Sequence, residues 1–169
     1  QAKQDARRLV YAEGEDPRVL RAVQVVIDEG LARPTLVGRP EVIAGQIEAL
    51  GLRLRPDHDF ELVNPNDNPR YEDFCGHYHG LMERKGVSPE AARTIVRTNT
   101  TVIASLLLAR GKADAMICGT YGQYLWHLRY VLDVIGKAAE VTEAAALGVL
   151  ILDKGTYFFC DTHVKAEPT

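Results

Sequence analysis

Two short stretches hold the residues best suited to chemistry. In Gly119-Thr120-Tyr121-Gly122 the two glycines let backbone approach a ligand closely and Thr120 offers a hydroxyl. The helix expected to follow would point its first amides outward, as an anion site requires. Arg129, further along that helix, can reach a phosphate, although Asp133 four residues on can equally hold it in a surface ion pair. The second stretch, Glu13-Gly14-Glu15-Asp16-Pro17-Arg18, adds Glu13 and Arg18 as ligand-binding candidates, with Arg18 also readable as a solvated helix residue. The first stretch matches neither GxGxxG nor a Walker A loop, so its glycines would serve plain turning just as well.

Other constellations carry less. His77-Tyr78-His79 invites a metal, but residues two apart on a helix face different directions and no third ligand has suitable spacing, so no metal site is assigned. Tyr121, Tyr124, Trp126 and Tyr130 can flank an adenine ring or simply pack. There is no GxSxG elbow, no recognisable cysteine nucleophile and no persuasive pair of carboxylates, and no catalytic residue is assigned.

The elements that must position these residues alternate. Apolar runs at Leu9–Ala12, Pro34–Gly38, Phe60–Val63 and Ala113–Cys118 read as strands. Asp16-Pro17 opens a helix ending at Gly30, and Pro40 opens one closing at Gly51. The turn-rich Asn64–Pro69 leads into a helix from about Arg70 to Lys85, and Ser88-Pro89-Glu90 caps a helix expected to reach Ala109 across the β-branched Thr100–Ile103. Tyr124–Ile135 reads as a helix with Leu125, Leu128, Leu132 and Ile135 on one face. Strands separated by helices predict an α/β fold: a doubly wound, mainly parallel sheet with helices on both faces. Its strand-end loops, Glu13–Arg18, Gly38–Glu41, Asn64–Arg70 and Gly119–Gln123, would line one ligand crevice. Residues 1–140 form this first lobe, and 141–169, with strand patterns at Ala144–Leu152 and Tyr157–Cys160, read as the start of a second lobe cut short at Lys165–Thr169.

Bulk properties bound the partners. At 169 residues, 46% hydrophobic and 25% charged, the chain can bury a real core. A net charge of -3 gives no general attraction for nucleic acid, so a polyanionic ligand must be met locally. The apolar run Thr100–Ala109 is far short of the ~20 residues a bilayer span needs, and Gln1 opens no signal peptide; no membrane partner and a cytoplasmic location are expected. Cys75, Cys118 and Cys160 are odd in number and widely spaced, and buried reduced thiols are expected.

The run Val10–Ala22, with its Glu-Gly loop between strand and helix, resembles the opening of phosphate acetyl- and butyryltransferases. Leu36–Pro40, Gly111–Gly119, Leu128-Arg129 and Phe159–Val164 resemble that family in the same order. Asp67–Tyr71, Ala92–Thr98 and Lys154–Phe158 resemble specifically the domain fused to bacterial NADP-dependent malic enzymes. The resemblance implies a two-lobed domain about twice this length, with a CoA cleft between lobes, a homo-oligomer formed through the same domain, and principal catalytic residues beyond Thr169. It implies that Arg129 stands at the family's helix arginine. Thr120–Tyr130 departs from the His/Thr-rich stretch of working transacetylases, which implies a regulatory role: acetyl-CoA or a related CoA ester as effector, with no cofactor in this segment. Malate oxidation to pyruvate, with NADP and Mg or Mn, would belong to an attached catalytic domain. An active phosphate acetyltransferase and a non-binding oligomerisation scaffold stand as alternatives.

Overall fold

The computed structural model describes residues 2–66, 70–161 and 164. Asp67, Asn68 and Pro69 of the turn-rich segment, Thr162 and His163 of the last family-like motif, and the tail from Lys165 lie outside the described residues.

Four short apolar runs form strands β1 (Arg7–Tyr11), β2 (Ala32–Val37), β3 (Glu61–Val63) and β4 (Ala115–Ile117). They lie parallel in the order β3-β2-β1-β4. Because side chains alternate along a strand, neighbouring residues enter opposite cores. Tyr11 pairs with Leu36 and Leu36 with Leu62, and all three join the core on one face with Leu20, Val23 and Ile43. Val10 and the paired Val37 and Val63 face the other way, against Phe74, Tyr78, Val96 and Ile103. Burying each such large apolar side chain stabilises the fold by on the order of 1.5–3 kcal/mol.

The helices divide between the two faces, as the doubly wound expectation requires. Helices α1 (Pro17–Asp28) and α2 (Pro40–Ala49) cover the first face. Helices α3 (Tyr71–Met82), α4 (Pro89–Thr98), α5 (Thr100–Ala109) and α6 (Tyr124–Val134) cover the second. α1 begins where its sequence signal lies, with the Asp16 carboxylate accepting the Arg18 amide at 2.8 Å and Pro17 at the first position.

Two helix expectations are corrected. The single helix predicted from Ser88 to Ala109 is broken at Asn99, which is extended at φ -127°, ψ 99°. Its side chain accepts the Val102 amide at 3.3 Å, so the β-branched run starts a newly capped helix instead of continuing the old one. The break lets α5 turn inward, where Thr101 to Leu107 are all buried. α6 occupies its predicted span but not its predicted orientation: Leu125 and Ile135 are exposed, Leu128 and Leu132 half-buried, and His127 and Val134 buried. The side that turns inward carries a polar contact from His127 to Thr101 of α5, which the leucine stripe does not reveal.

Beyond α6, β5 (Leu147–Leu152) and β6 (Gly155–Cys160) form an antiparallel hairpin separate from the main sheet, pairing from Leu147↔Cys160 to Leu152↔Gly155. Cys75 is buried as expected, whereas Cys118 is half-buried and Cys160, on the hairpin, exposed. Among the described residues no helix is long and apolar enough to cross a membrane.

Candidate functional site

All four strands run the same way, so the loops at their carboxyl ends share one rim. β1 sits between β2 and β4: the chain leaves β1 through α1 on one face, whereas it reaches β4 through α3, α4 and α5 on the other. The loops after β1 and β4 therefore part at the topological switch point, where open α/β sheets bind their ligands.

Glu13 ties these loops together. Its side chain comes from the β1 end and is buried, with the residue 4% exposed. The Gly119 amide donates to its Oε1 at 3.0 Å and the Thr120 hydroxyl to its Oε2 at 3.1 Å. Arg18 adds a third tie, donating from Nη2 to the Thr120 carbonyl at 3.0 Å and to Asp16 Oδ2 at 2.8 Å. Gly14 fits because it has no side chain: its amide donates to the Val37 carbonyl at 3.0 Å, and a Cβ would stand 2.8 Å from that oxygen. Arg39, after β2, donates from its amide, Nε and Nη2 to Glu15 at 2.8, 2.9 and 2.7 Å.

The resulting cavity, about 330 Å³, is lined by Glu13, Glu15, Asp16, Val37, Thr100 and Tyr121 among others. Its electrostatics are mixed. Hydrogen bonds from Arg39 hold the Glu15 carboxyl below its ordinary range, and those from Arg18 do the same for Asp16. The Tyr121 phenol is pushed up, first by partial desolvation and then by the carboxylates of Glu13, Glu15 and Asp16, so it stays a neutral hydroxyl. Desolvation, reinforced by Glu13, pushes the Cys118 thiol up to about 11, which leaves it a poor nucleophile. A larger hollow of about 490 Å³ opens at the amino ends of the strands around Arg8, Arg33, His58 and Lys112. The convergent loops make the carboxyl rim the better candidate.

The structure thus brings Glu13, Arg18, Gly119 and Thr120 into one hydrogen-bonded cluster, with Tyr121 and Gly122 adjoining. The Gly119 amide and Thr120 hydroxyl, expected to face a ligand, face Glu13. Arg129 stands apart: its side chain is 78% exposed and its Nε lies 3.8 Å from Asp133 Oδ2, with Lys85 Nζ on the other oxygen at 2.6 Å. His77 accepts from Arg110 Nε at 3.1 Å, and no cluster of three or more His, Cys, Asp and Glu residues suited to a metal occurs among the described residues.

One residue escaped the sequence reading. His127 is 6% exposed, with Nδ1 2.8 Å from Thr101 Oγ1 and Nε2 2.7 Å from the Tyr121 carbonyl oxygen. A signal existed: His127, Tyr130 and Val134 share helical spacing, and this stripe, not the leucine stripe, turns inward.

Comparison with known proteins places this geometry. The profile of the family described as phosphate acetyl/butaryl transferase matches residues 1–169. An NAD-dependent malic enzyme of Rhizobium meliloti is 54% identical over 96% of the chain, and an NADP-dependent malic enzyme of Haemophilus influenzae 50% identical over all of it. A phosphate acetyltransferase of Clostridium acetobutylicum is 30% identical over 99% of the chain. The chain spans 21% and 22% of the two malic enzymes and 51% of the acetyltransferase. In fold it is similar to the crystal structure of a phosphotransacetylase from Streptococcus pyogenes, with a TM-score of 0.87 over 99% of this chain and 50% of that one, at 22% identity.

Proposed function

The chain belongs to the phosphate acetyl/butaryl transferase family, and from that premise we propose that it is the first half of a phosphotransacetylase-like module attached to a malic enzyme. In this reading the module binds acetyl-CoA at the carboxyl rim without converting it, and the bound effector shifts the oligomer between states that oxidise malate at different rates. The attached catalytic part would use NAD or NADP with Mg or Mn. The carrying observation is the contrast in likeness: 50% identity to a malic enzyme across the whole chain, against 30% to a phosphate acetyltransferase over the same span.

The rim chemistry supports binding without turnover. A transferase must aim polar groups at charge that develops only in the transition state. Here the Gly119 amide and Thr120 hydroxyl are both engaged by Glu13. The groups left to meet the phosphates of CoA are guanidinium edges and helix amides. Arg18 and Arg39 have side chains 65% and 49% exposed while already oriented by Asp16 and Glu15. The N-terminus of α6 has no side-chain cap from Gln123.

Calorimetric titration of the full-length protein with acetyl-CoA tests the reading, with binding and no acetyl phosphate formation as the expected result. No heat at millimolar ligand would end it, and substantial acetyl phosphate formation would favour the transferase. Arg18→Ala is expected to weaken binding by about 1.5–3 kcal/mol, the range for a charged hydrogen bond. Arg129→Ala should do likewise if that side chain leaves Asp133 for the ligand; an unchanged effector response in both variants would favour a scaffold with a vestigial cleft.

A further inference from the structure

We infer that His127 is a positioning residue for the rim loop, clamping Gly119–Gly122 from behind while Glu13 holds it from below. The inference rests on reading that loop as a ligand contact.

The chemistry of the two contacts fixes the ring. A backbone carbonyl only accepts, so Nε2 must carry a proton toward Tyr121 at 2.7 Å. In the neutral ring Nδ1 then accepts the Thr101 hydroxyl at 2.8 Å. Thr101 is 1% exposed and lies in the first turn of α5, just after the Asn99 cap. The ring therefore spans from a rigid, buried helix to a loop carbonyl at the surface.

The loop needs such an anchor. Gly119 and Gly122 both carry positive φ, +90° and +92°. Between them, Tyr121 is 60% exposed. At Gly122 an added Cβ would stand 2.9 Å from His127 Nε2, so the ring occupies the space against which the loop folds. Apolar packing alone is a weaker account of the residue. Trp126 meets the His127 ring edge-on at 5.0 Å, yet both ring nitrogens are spent on directed hydrogen bonds.

The test compares His127→Leu, which removes both bonds, with His127→Gln, whose terminal amide can still donate to the Tyr121 carbonyl. In the full-length protein, amide hydrogen exchange across residues 120–123 is expected to rise about tenfold in H127L and to stay within about threefold of wild type in H127Q. Acetyl-CoA dissociation constants should follow the same order. Loop exchange in H127L equal to wild type, or H127L and H127Q indistinguishable, overturns the proposal. Should H127L fail to fold, Thr101→Val, similar in size, removes only the Nδ1 partner; about threefold faster loop exchange is expected there, and an unchanged rate overturns the clamp. Wild-type protein that binds no acetyl-CoA sinks the functional reading separately, because the exchange measurement is made without ligand.

Discussion

A carboxylate with only 4% of its residue exposed is costly unless both oxygens are satisfied, and Glu13 meets that condition with one backbone and one hydroxyl donor. Glu13→Ala leaves the Gly119 amide without that acceptor and is expected to cost about 1–3 kcal/mol, whereas Glu13→Gln keeps one acceptor and should cost only about 0.5–1.5 kcal/mol. Urea midpoints at unchanged m-value would measure both. An ion pair elsewhere in the sheet gives a pH signature. Arg8 donates to both oxygens of Asp114, at 2.6 Å from Nη2 and 3.2 Å from Nε, and holds that carboxyl at about 2, below its ordinary 3.8. A carboxyl pKa depressed on folding contributes stability above the unfolded value, lost as pH falls through the folded one. Asp114→Asn should therefore be less stable than wild type at neutral pH, with the gap closing between about pH 4 and pH 2; a gap independent of pH would refute the assignment. The residue types of the site were legible in the sequence, since Gly119, Thr120, Glu13 and Arg18 all stand at the rim. Their pairings were not. Glu13 and Gly119 are 106 residues apart, and nothing in either stretch states that the amide expected to meet a ligand meets a glutamate first.

At the scale of elements, local signals fixed starts better than continuations. Asp16-Pro17 and Ser88-Pro89 mark the beginnings of α1 and α4 because a capping side chain and a proline at the first position act within one turn. The α4–α5 break was harder to foresee, because Asn99 becomes a cap only once α5 has an interior to turn into. Asn99→Ala should cost about 1 kcal/mol through loss of the bond to the Val102 amide, read as a lower thermal midpoint. A variant as stable as wild type would mean that burial of α5 alone enforces the break. The rotation of α6 has the same origin. Leu125 and Leu128 satisfy the helical period, yet the bond between His127 and Thr101 decides which side faces α5. Polar bonds between helices outrank a weak apolar stripe wherever burying the alternative would leave a hydroxyl and an imidazole unpaired.

At the scale of the molecule, two apolar clusters close the α/β layer on both faces, and the β5–β6 hairpin stands outside them. A two-stranded ribbon is marginal in water without something to pack against. This one carries apolar residues on both sides: Val149, Ile151 and Phe158 share one face, while Leu150, Tyr157 and Phe159 share the other. Ile151 is 78% exposed and Phe158 65%, and exposed apolar groups of this kind favour association. The chain spans about half the length of the matched phosphate acetyltransferase, which leaves room in a longer protein for segments that cover the hairpin. A polypeptide of these 169 residues alone is therefore expected to self-associate reversibly, with a sedimentation coefficient that rises across the micromolar range. Ile151→Lys with Phe158→Glu should suppress that association without moving the unfolding midpoint of the α/β layer, because neither side chain belongs to its two cores. If the double variant associates as strongly as the parent, the contact lies elsewhere, and the exposed Leu125 and Trp126 of α6 are the next surface to alter.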